Sequence, residues 1–305
     1  MQKAGFMKFL VRSGLVALLC TSFQVYSQQE SKTDQGIQAQ VSEENDDDIT
    51  VSATRTRRQV STTPGEVSVV TKEELREVQP ADLQDIVRYE PNVEVTNQTR
   101  GVGQKPIIRG LSGSRVLVNV DETRITFDSG HKGQLFLEPA WLKRAEVIRG
   151  PGSALYGSNA LGGVLSLETL DPADLIAPDG TFGLAQSIGF QGINDQLSSV
   201  TTFAGRVGES FEYLVGYGLR DAHTNYDIGG DTAIPFSEED SDSFLVKAVW
   251  WATDYDRFEL SMQRYTLTGD TPTNTAETGT SGLVDRMTMQ DQFRLQYEHE
   301  NPDNP

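Results

Sequence analysis

Residues 145–170 read AEVIRGPGSALYGSNALGGVLSLETL, a stretch whose spacing fits neither a helix nor a continuous strand. It opens on a β-like run, 145–148, and closes on a second, 163–169. Between them Gly152, Gly157, Gly162 and Gly163 distribute small residues around Tyr156. Glycine tolerates positive φ and close backbone approach, so the spacing predicts a tightly folded loop pressed between a sheet and an enclosing wall. A phosphate cradle is a poor fit. The Walker pattern needs Lys and Ser or Thr after its last Gly, but Gly157 is followed by Ser158 and Asn159. Gly101 and Gly103 are no dinucleotide fingerprint either, because Pro106 stands where the third Gly belongs.

Composition removes further classes. A formal charge of −18 over 305 residues argues against a nucleic-acid surface, which would be basic. The one cysteine, Cys20, lies in a segment expected to be cleaved. The mature chain is therefore expected to have no disulfide, thiolate zinc site or thiol nucleophile. No catalytic constellation is visible, and an enzyme is not expected.

Lys3, Lys8 and Arg12 precede an apolar run over 14–20, and Val25, Tyr26 and Ser27 offer a cleavage site, so 1–27 reads as a secretory signal peptide. The run is too short for a membrane-spanning helix, which needs about 20 apolar residues. Residues 28–60 begin as a polar, acidic leader with little to bury and are expected to be disordered. Within them Ile49, Thr50, Val51, Ser52, Ala53 and Thr54 form a short β-prone patch with no evident partner strand. Such a patch on a flexible leader suits addition to the sheet edge of another protein. A first strand of the following domain is the other reading.

Residues 66–70 are strand-like, and Thr71 with Glu74 forms a capping box. Pro80 suits the first turn of a second helix, with Leu83, Ile86 and Val87 on one face and Pro91 beyond its end. Strands are predicted over 106–110 and 115–121, and a helical turn over 139–144. The mixture predicts a small α+β domain over 61–178.

After Pro178 six segments show partial period-2 alternation: 181–191, 197–207, 211–221, 243–251, 257–266 and 286–299. Their connections alternate between short (208–210, 253–256) and long (222–242, 267–285). Outer-membrane barrels show this pattern, with short periplasmic turns and long extracellular loops. A soluble sandwich is the alternative.

The RGP, LYG and NALGG elements, in order, resemble the plug domain of TonB-dependent outer-membrane receptors. The resemblance implies an α+β plug followed by the start of a transmembrane antiparallel β-barrel over 179–305, in the outer membrane of a Gram-negative bacterium. It makes residues 49–54 a TonB box that binds the periplasmic domain of TonB. It also implies that Arg109 and Arg149, which lie in the IRG and RGP motifs, pair with carboxylates on the inner barrel wall and lock the plug. Plugged transporters have about 22 strands, and the residues after Gly180 hold only about six at ~10 residues each. The chain also lacks the C-terminal aromatic of complete barrels, so it is expected to be the N-terminal part of a longer receptor.

The run Asp128-Ser129-Gly130-His131-Lys132-Gly133, followed by Phe136, Pro139 and Leu142, resembles the apical loop of haem receptors. Neutral imidazole is a good axial ligand for haem iron, which makes His131 the candidate ligand, with haem or a haem protein as cargo and no permanent cofactor. His223 sits where it could assist, whereas His299 falls at the periplasmic end. A siderophore or cobalamin receptor, or a truncated plug that binds without transport, are the remaining alternatives.

Overall fold

The computed structural model describes residues 49–50, 58–60, 65–96, 104–127, 134–158, 160–230, 232–272 and 282–300. The elements are β1 (Ile49–Thr50), β2 (Arg58–Gln59), β3 (Glu66–Val70), α1 (Lys72–Val78), α2 (Leu83–Ile86), β4 (Val93–Thr96), β5 (Lys105–Ile108), β6 (Leu111–Ser112), β7 (Val116–Val120), β8 (Thr123–Arg124), β9 (Leu142–Arg149), α3 (Ser153–Tyr156) and β10 (Gly163–Thr169). The six long strands that follow are β11 (Phe182–Gln191), β12 (Gln196–Val207), β13 (Phe211–Asp221), β16 (Asp240–Trp251), β17 (Asp256–Pro272) and β18 (Leu283–His299), with a small hairpin, β14 (Asp227–Gly229) and β15 (Thr232–Ala233), inside the long connection after β13.

The first part is a mixed α/β body. Its main sheet has the order β3-β9-β10-β7-β8, antiparallel except for the parallel β10–β7 pair. A smaller sheet, β4-β5-β6, lies beside it. Thr71 caps α1 through the box read from sequence: the Glu74 amide donates to Thr71 Oγ1, and the Thr71 amide donates to Glu74 Oε2. The second helix begins later than predicted. Asp82 rather than Pro80 marks its start, because the Asp82 carboxylate accepts the Asp85 amide at 3.0 Å and so satisfies an otherwise orphaned donor. The predicted helical turn over 139–144 is also cut short. Only Pro139–Trp141 turns, since β9 pairs with β10 from Leu142 onward and with β3 from Ala145 onward, and that pairing overrides local preference.

All five residues of β7 are buried, for a layered reason. Val116, Val118 and Val120 enter the main core with Ile108, Val147, Leu165 and Leu167. On the opposite face Leu117 meets Val164 and Ala160, the latter carried by the glycine-rich loop. That loop folds over the sheet as its composition predicts. At Gly163 a Cβ would stand 2.3 Å from the Ile148 carbonyl oxygen, so no larger residue fits there.

The second part is one antiparallel sheet, with its strands in sequential order β11-β12-β13-β16-β17-β18 and β11 and β18 at its edges. The six segments read from sequence correspond to these strands, three of them lengthened at the ends that bear the long connections. No helix among the described residues is long and apolar enough to cross a membrane.

Candidate functional site

Alternation along the wall strands sorts side chains by chemistry. The face toward the α/β body mixes small and polar residues (Thr202 and Ala204 on β12, Gly216 and Gly218 on β13, Ser243 and Lys247 on β16, Ser261 on β17 and Gln292 on β18) with Val200, Leu214, Leu245 and Val249, all buried. Of these, Val200, Leu214 and Leu245 pack with Trp141 and Leu170. The opposite face carries Leu184, Ile188, Phe190, Phe203, Val215, Phe244, Leu260, Phe293 and Leu295, with Ile188 75% and Leu295 76% exposed. A soluble sandwich would bury such side chains between its sheets. An apolar, exposed outer face opposite an inner face that carries the polar residues is instead the arrangement of a lipid-facing barrel wall. Near the short turns an aromatic row crosses four strands in register: Phe211 opposite Trp250, Trp250 opposite Phe258, and Phe258 opposite Tyr297. The Phe258 and Tyr297 ring centroids lie 4.9 Å apart. Such girdles mark a membrane interface.

The body is held to this wall by buried polar contacts. Lys247, 2% exposed, donates to Asp171 Oδ1 at 2.8 Å and to the Thr169 carbonyl at 3.1 Å, and lies 3.6 Å from Asp121 Oδ2. Asp121 in turn accepts from Gln263 of β17 and from the amide and hydroxyl of Thr169. Lys143 approaches the other oxygen of Asp171 at 2.6 Å, and Lys72 at the start of α1 reaches Asp174 at 3.0 Å. Burial pushes the Asp171 carboxyl up, but Lys247 and Lys143 outweigh it and hold the group at about 2. Burial likewise works against the Lys143 ammonium, and the charges of Asp171 and Asp174 outweigh it to raise that group above its ordinary value.

A second anchor lies nearer the long connections. Arg220 of β13 donates to both oxygens of Glu138, at 2.8 and 2.6 Å, and to the Ala81 carbonyl. Glu138 is 1% exposed, so this is a desolvated, bidentate pair. Next to it the Trp141 indole N–H donates to Thr202 Oγ1 at 3.1 Å, and its ring fills the space left by Gly216, where a Cβ would stand 2.8 Å from the indole. At the far edge, Gln292 donates to the Val120 carbonyl, and Arg294 meets Glu122 at 3.1 Å.

The residues singled out from sequence fall differently. Arg149 is buried, but its guanidinium donates to Glu90, Ser68 Oγ and the Pro91 carbonyl, all within the α/β body. Arg109, at a positive φ of 51°, pairs with Glu66 at 2.8 Å, also within the body. The expected contacts of Arg109 and Arg149 with the barrel wall are thus not made among the described residues. Both side chains brace the tight turns they flank, and wall cations Lys247, Arg220 and Arg294 make the cross-contacts to carboxylates of the body. Across these six strands the cations stand on the wall and the carboxylates on the body. A sequence signal for Lys247 exists: it is a charged residue in the inward phase of a strand, between Val246 and Ala248.

Ile49 and Thr50 form β1, paired antiparallel with Arg58–Gln59. That corrects the expectation of no nearby partner; Arg58 and Gln59 carry no apolar alternation that would have flagged a strand. Val51, Ser52, Ala53 and Thr54 lie outside the described residues, as do residues 1–48 and the loop 128–133 with His131. The flanks of that loop are described. Leu135, Phe136 and Leu137 line a cavity with Tyr226, Ser237 and Glu239 of the long connection after β13. His223 lies in the same region with its Nε2 buried and unpartnered, whereas His299 pairs with Asp256 beside a short turn.

An α/β body bound through polar contacts to the inner face of a consecutive antiparallel wall, itself apolar on the outside, defines a plug seated against the first strands of a barrel. Residues 59–164 match the family described as TonB-dependent Receptor Plug Domain, so this part of the chain is a plug domain. It is 31% identical over 255 residues to the "Hemin receptor" of Yersinia enterocolitica, covering 82% of this chain and 36% of that protein. It is 39% identical over 149 residues to "Heme/hemopexin utilization protein C" of Haemophilus influenzae (strain ATCC 51907 / DSM 11121 / KW20 / Rd), covering 49% of this chain and 20% of that one. Among solved structures, the FrpB iron transporter of Neisseria meningitidis (F3-3 variant) superposes with a TM-score of 0.69 at 24% identity, covering 78% of this chain and 38% of that chain. This last likeness is one of fold. The chain spans little more than a third of the hemin receptor's length.

Proposed function

We propose that this chain is the signal peptide (1–27), TonB-box leader (28–60), plug (61–178) and first wall strands (179–305) of an outer-membrane receptor that takes up haem, or the haem of a carrier protein, with energy delivered through TonB. The observation that carries the haem reading is the reach of the hemin-receptor likeness. It covers 82% of the chain, well past the plug match at 59–164, and so includes wall strands as well as the shared plug.

In this reading His131 gives an imidazole lone pair to ferric haem. Its flanking residues Phe136 and Leu137 share a cavity with the long connection after β13, which supports an outward-facing position for the loop. Residues Ile49 to Thr54 engage the periplasmic domain of TonB by strand addition, a mode that relies on backbone pairing. The plug then has to loosen from the wall. The buried Lys247 and Arg220 contacts, and the exposed Arg294–Glu122 pair, are the ones that such a movement must break or exchange.

Growth tests the reading directly. A Gram-negative host lacking its own haem receptors and supplied with the gene grows on haemin as sole iron source when TonB is present. Failure to grow on haemin, with growth on a ferric siderophore instead, would replace haem by another iron complex.

A further inference from the structure

A cavity of about 100 Å³ lies between the plug and the wall at the end bearing the long connections. Asp82, Phe136, Asn194, Tyr226, Glu239 and Tyr265 supply its chemistry. Two of these are carboxylates and three are aromatic rings. The one basic residue lining it, Arg220, already has its charge matched by both oxygens of Glu138.

Asn194, in the tight turn between β11 and β12, provides an independent sign of a missing ligand. It is 1% exposed, and neither its side-chain nitrogen nor its side-chain oxygen has a hydrogen-bond partner. Its backbone carbonyl is occupied by the His223 and Thr224 amides, so the turn is held without its side chain. An amide buried in this way is destabilising unless something in the cavity bonds to it.

The electrostatics favour one sign of ligand. Burial pushes the Asp82 carboxyl up and outweighs the opposing bonds from the Asp85 amide and the Gln104 side chain. Burial also pushes the Tyr226 hydroxyl up to about 12, with Glu239 and Asp82 contributing. Both groups resist further negative charge, and a cation placed between them would relieve it.

We propose that this cavity binds an organic cation, a guanidinium or primary ammonium group, held by Asp82 and Glu239, enclosed by the rings of Phe136, Tyr226 and Tyr265, and donating to Asn194 Oδ1. Aromatic faces and carboxylates together are what such a head group selects. Neither a haem propionate nor a catecholate has the right charge, so the site stands apart from the haem reading. The cation comes either from a free small molecule or from an Arg or Lys side chain of a protein docking on the outer face.

The test is calorimetric titration of the protein, purified from membranes in detergent at neutral pH and low salt, with agmatine. Saturable binding is expected, with no binding of butyrate. Asp82→Asn together with Glu239→Gln should weaken it by about tenfold or more, the scale of lost charge-assisted bonds; Asn at position 82 retains the helix cap. Asn194→Leu serves as a second, uncharged variant and should also weaken binding. If a peptide, acetyl-Gly-Gly-Arg-Gly-Gly-amide, binds as well, the source is a protein side chain, and if agmatine alone binds, it is a free cation. No saturable agmatine binding, equal binding of butyrate, or unchanged affinity in the folded variants overturns the proposal. None of these outcomes depends on haem, so growth on haemin is judged separately.

Discussion

Lys247 of the wall and Asp171 of the plug meet at 2.8 Å just before the chain passes from plug to wall. The lysine is 2% exposed and has carboxylates on two sides, Asp171 and the more distant Asp121. Burying an ammonium costs several kcal/mol before pairing, so the pair holds geometry more than it adds stability. Removing Lys247 leaves Asp171 with Lys143 alone, and removing Asp171 leaves Lys247 with the more distant Asp121.

Lys247→Ala should therefore destabilise the seated plug by about 1–3 kcal/mol, less than a fully stranded charge would cost, because Lys143 still faces Asp171. Urea unfolding in detergent, followed by tryptophan fluorescence, measures this, with Trp141 reporting from the interface. Adding Asp171→Asn to Lys247→Met should not recover the loss, because it takes from Lys143 its carboxylate partner at 2.6 Å.

Acid should loosen the same contact in a defined window. The Asp171 carboxyl is held at about 2 in the folded protein, against an ordinary value of about 3.9 in an unfolded chain. Its contribution is complete above about pH 4 and is lost as the pH falls toward 2. Stability measured from pH 5 to 2 should fall less steeply in Asp171→Asn than in the wild type.

Much of this architecture was legible in the sequence because its signals are local. The Thr71–Glu74 box, the inward phase of the wall strands and the glycine-rich fold-over all follow from chemistry within a few residues. What was not legible depends on partners distant in sequence. Nothing near Arg149 reveals that Glu90 will neutralise it rather than a wall carboxylate, and nothing near Glu138 points to Arg220, 82 residues away. The start of α2 was misplaced for a smaller reason: Pro80 and Asp82 both suit a helix start, and the cap won. The loop carrying His131 rests on resemblance alone, since a single loop histidine has no periodicity to read.

If residues 49–54 add as a strand to TonB, a proline there removes one backbone donor and stiffens the chain. Val51→Pro should abolish crosslinking to the periplasmic domain of TonB and uptake with it, while haem binding at the outer face stays as in the wild type. Unchanged crosslinking would assign these residues to the plug's own hairpin with Arg58 and Gln59.

Haem as the cargo is tested most directly by spectroscopic titration of the purified receptor with haemin, comparing wild type with His131→Ala. Imidazole ligation predicts a saturable, shifted Soret band in the wild type. It also predicts that the shift is lost and affinity falls in His131→Ala, and that the wild type behaves in the same way as the pH drops below the unperturbed histidine value of about 6.5. An identical Soret band and affinity in the two proteins would contradict the assignment of His131, and no saturable haemin binding in the wild type would contradict haem itself.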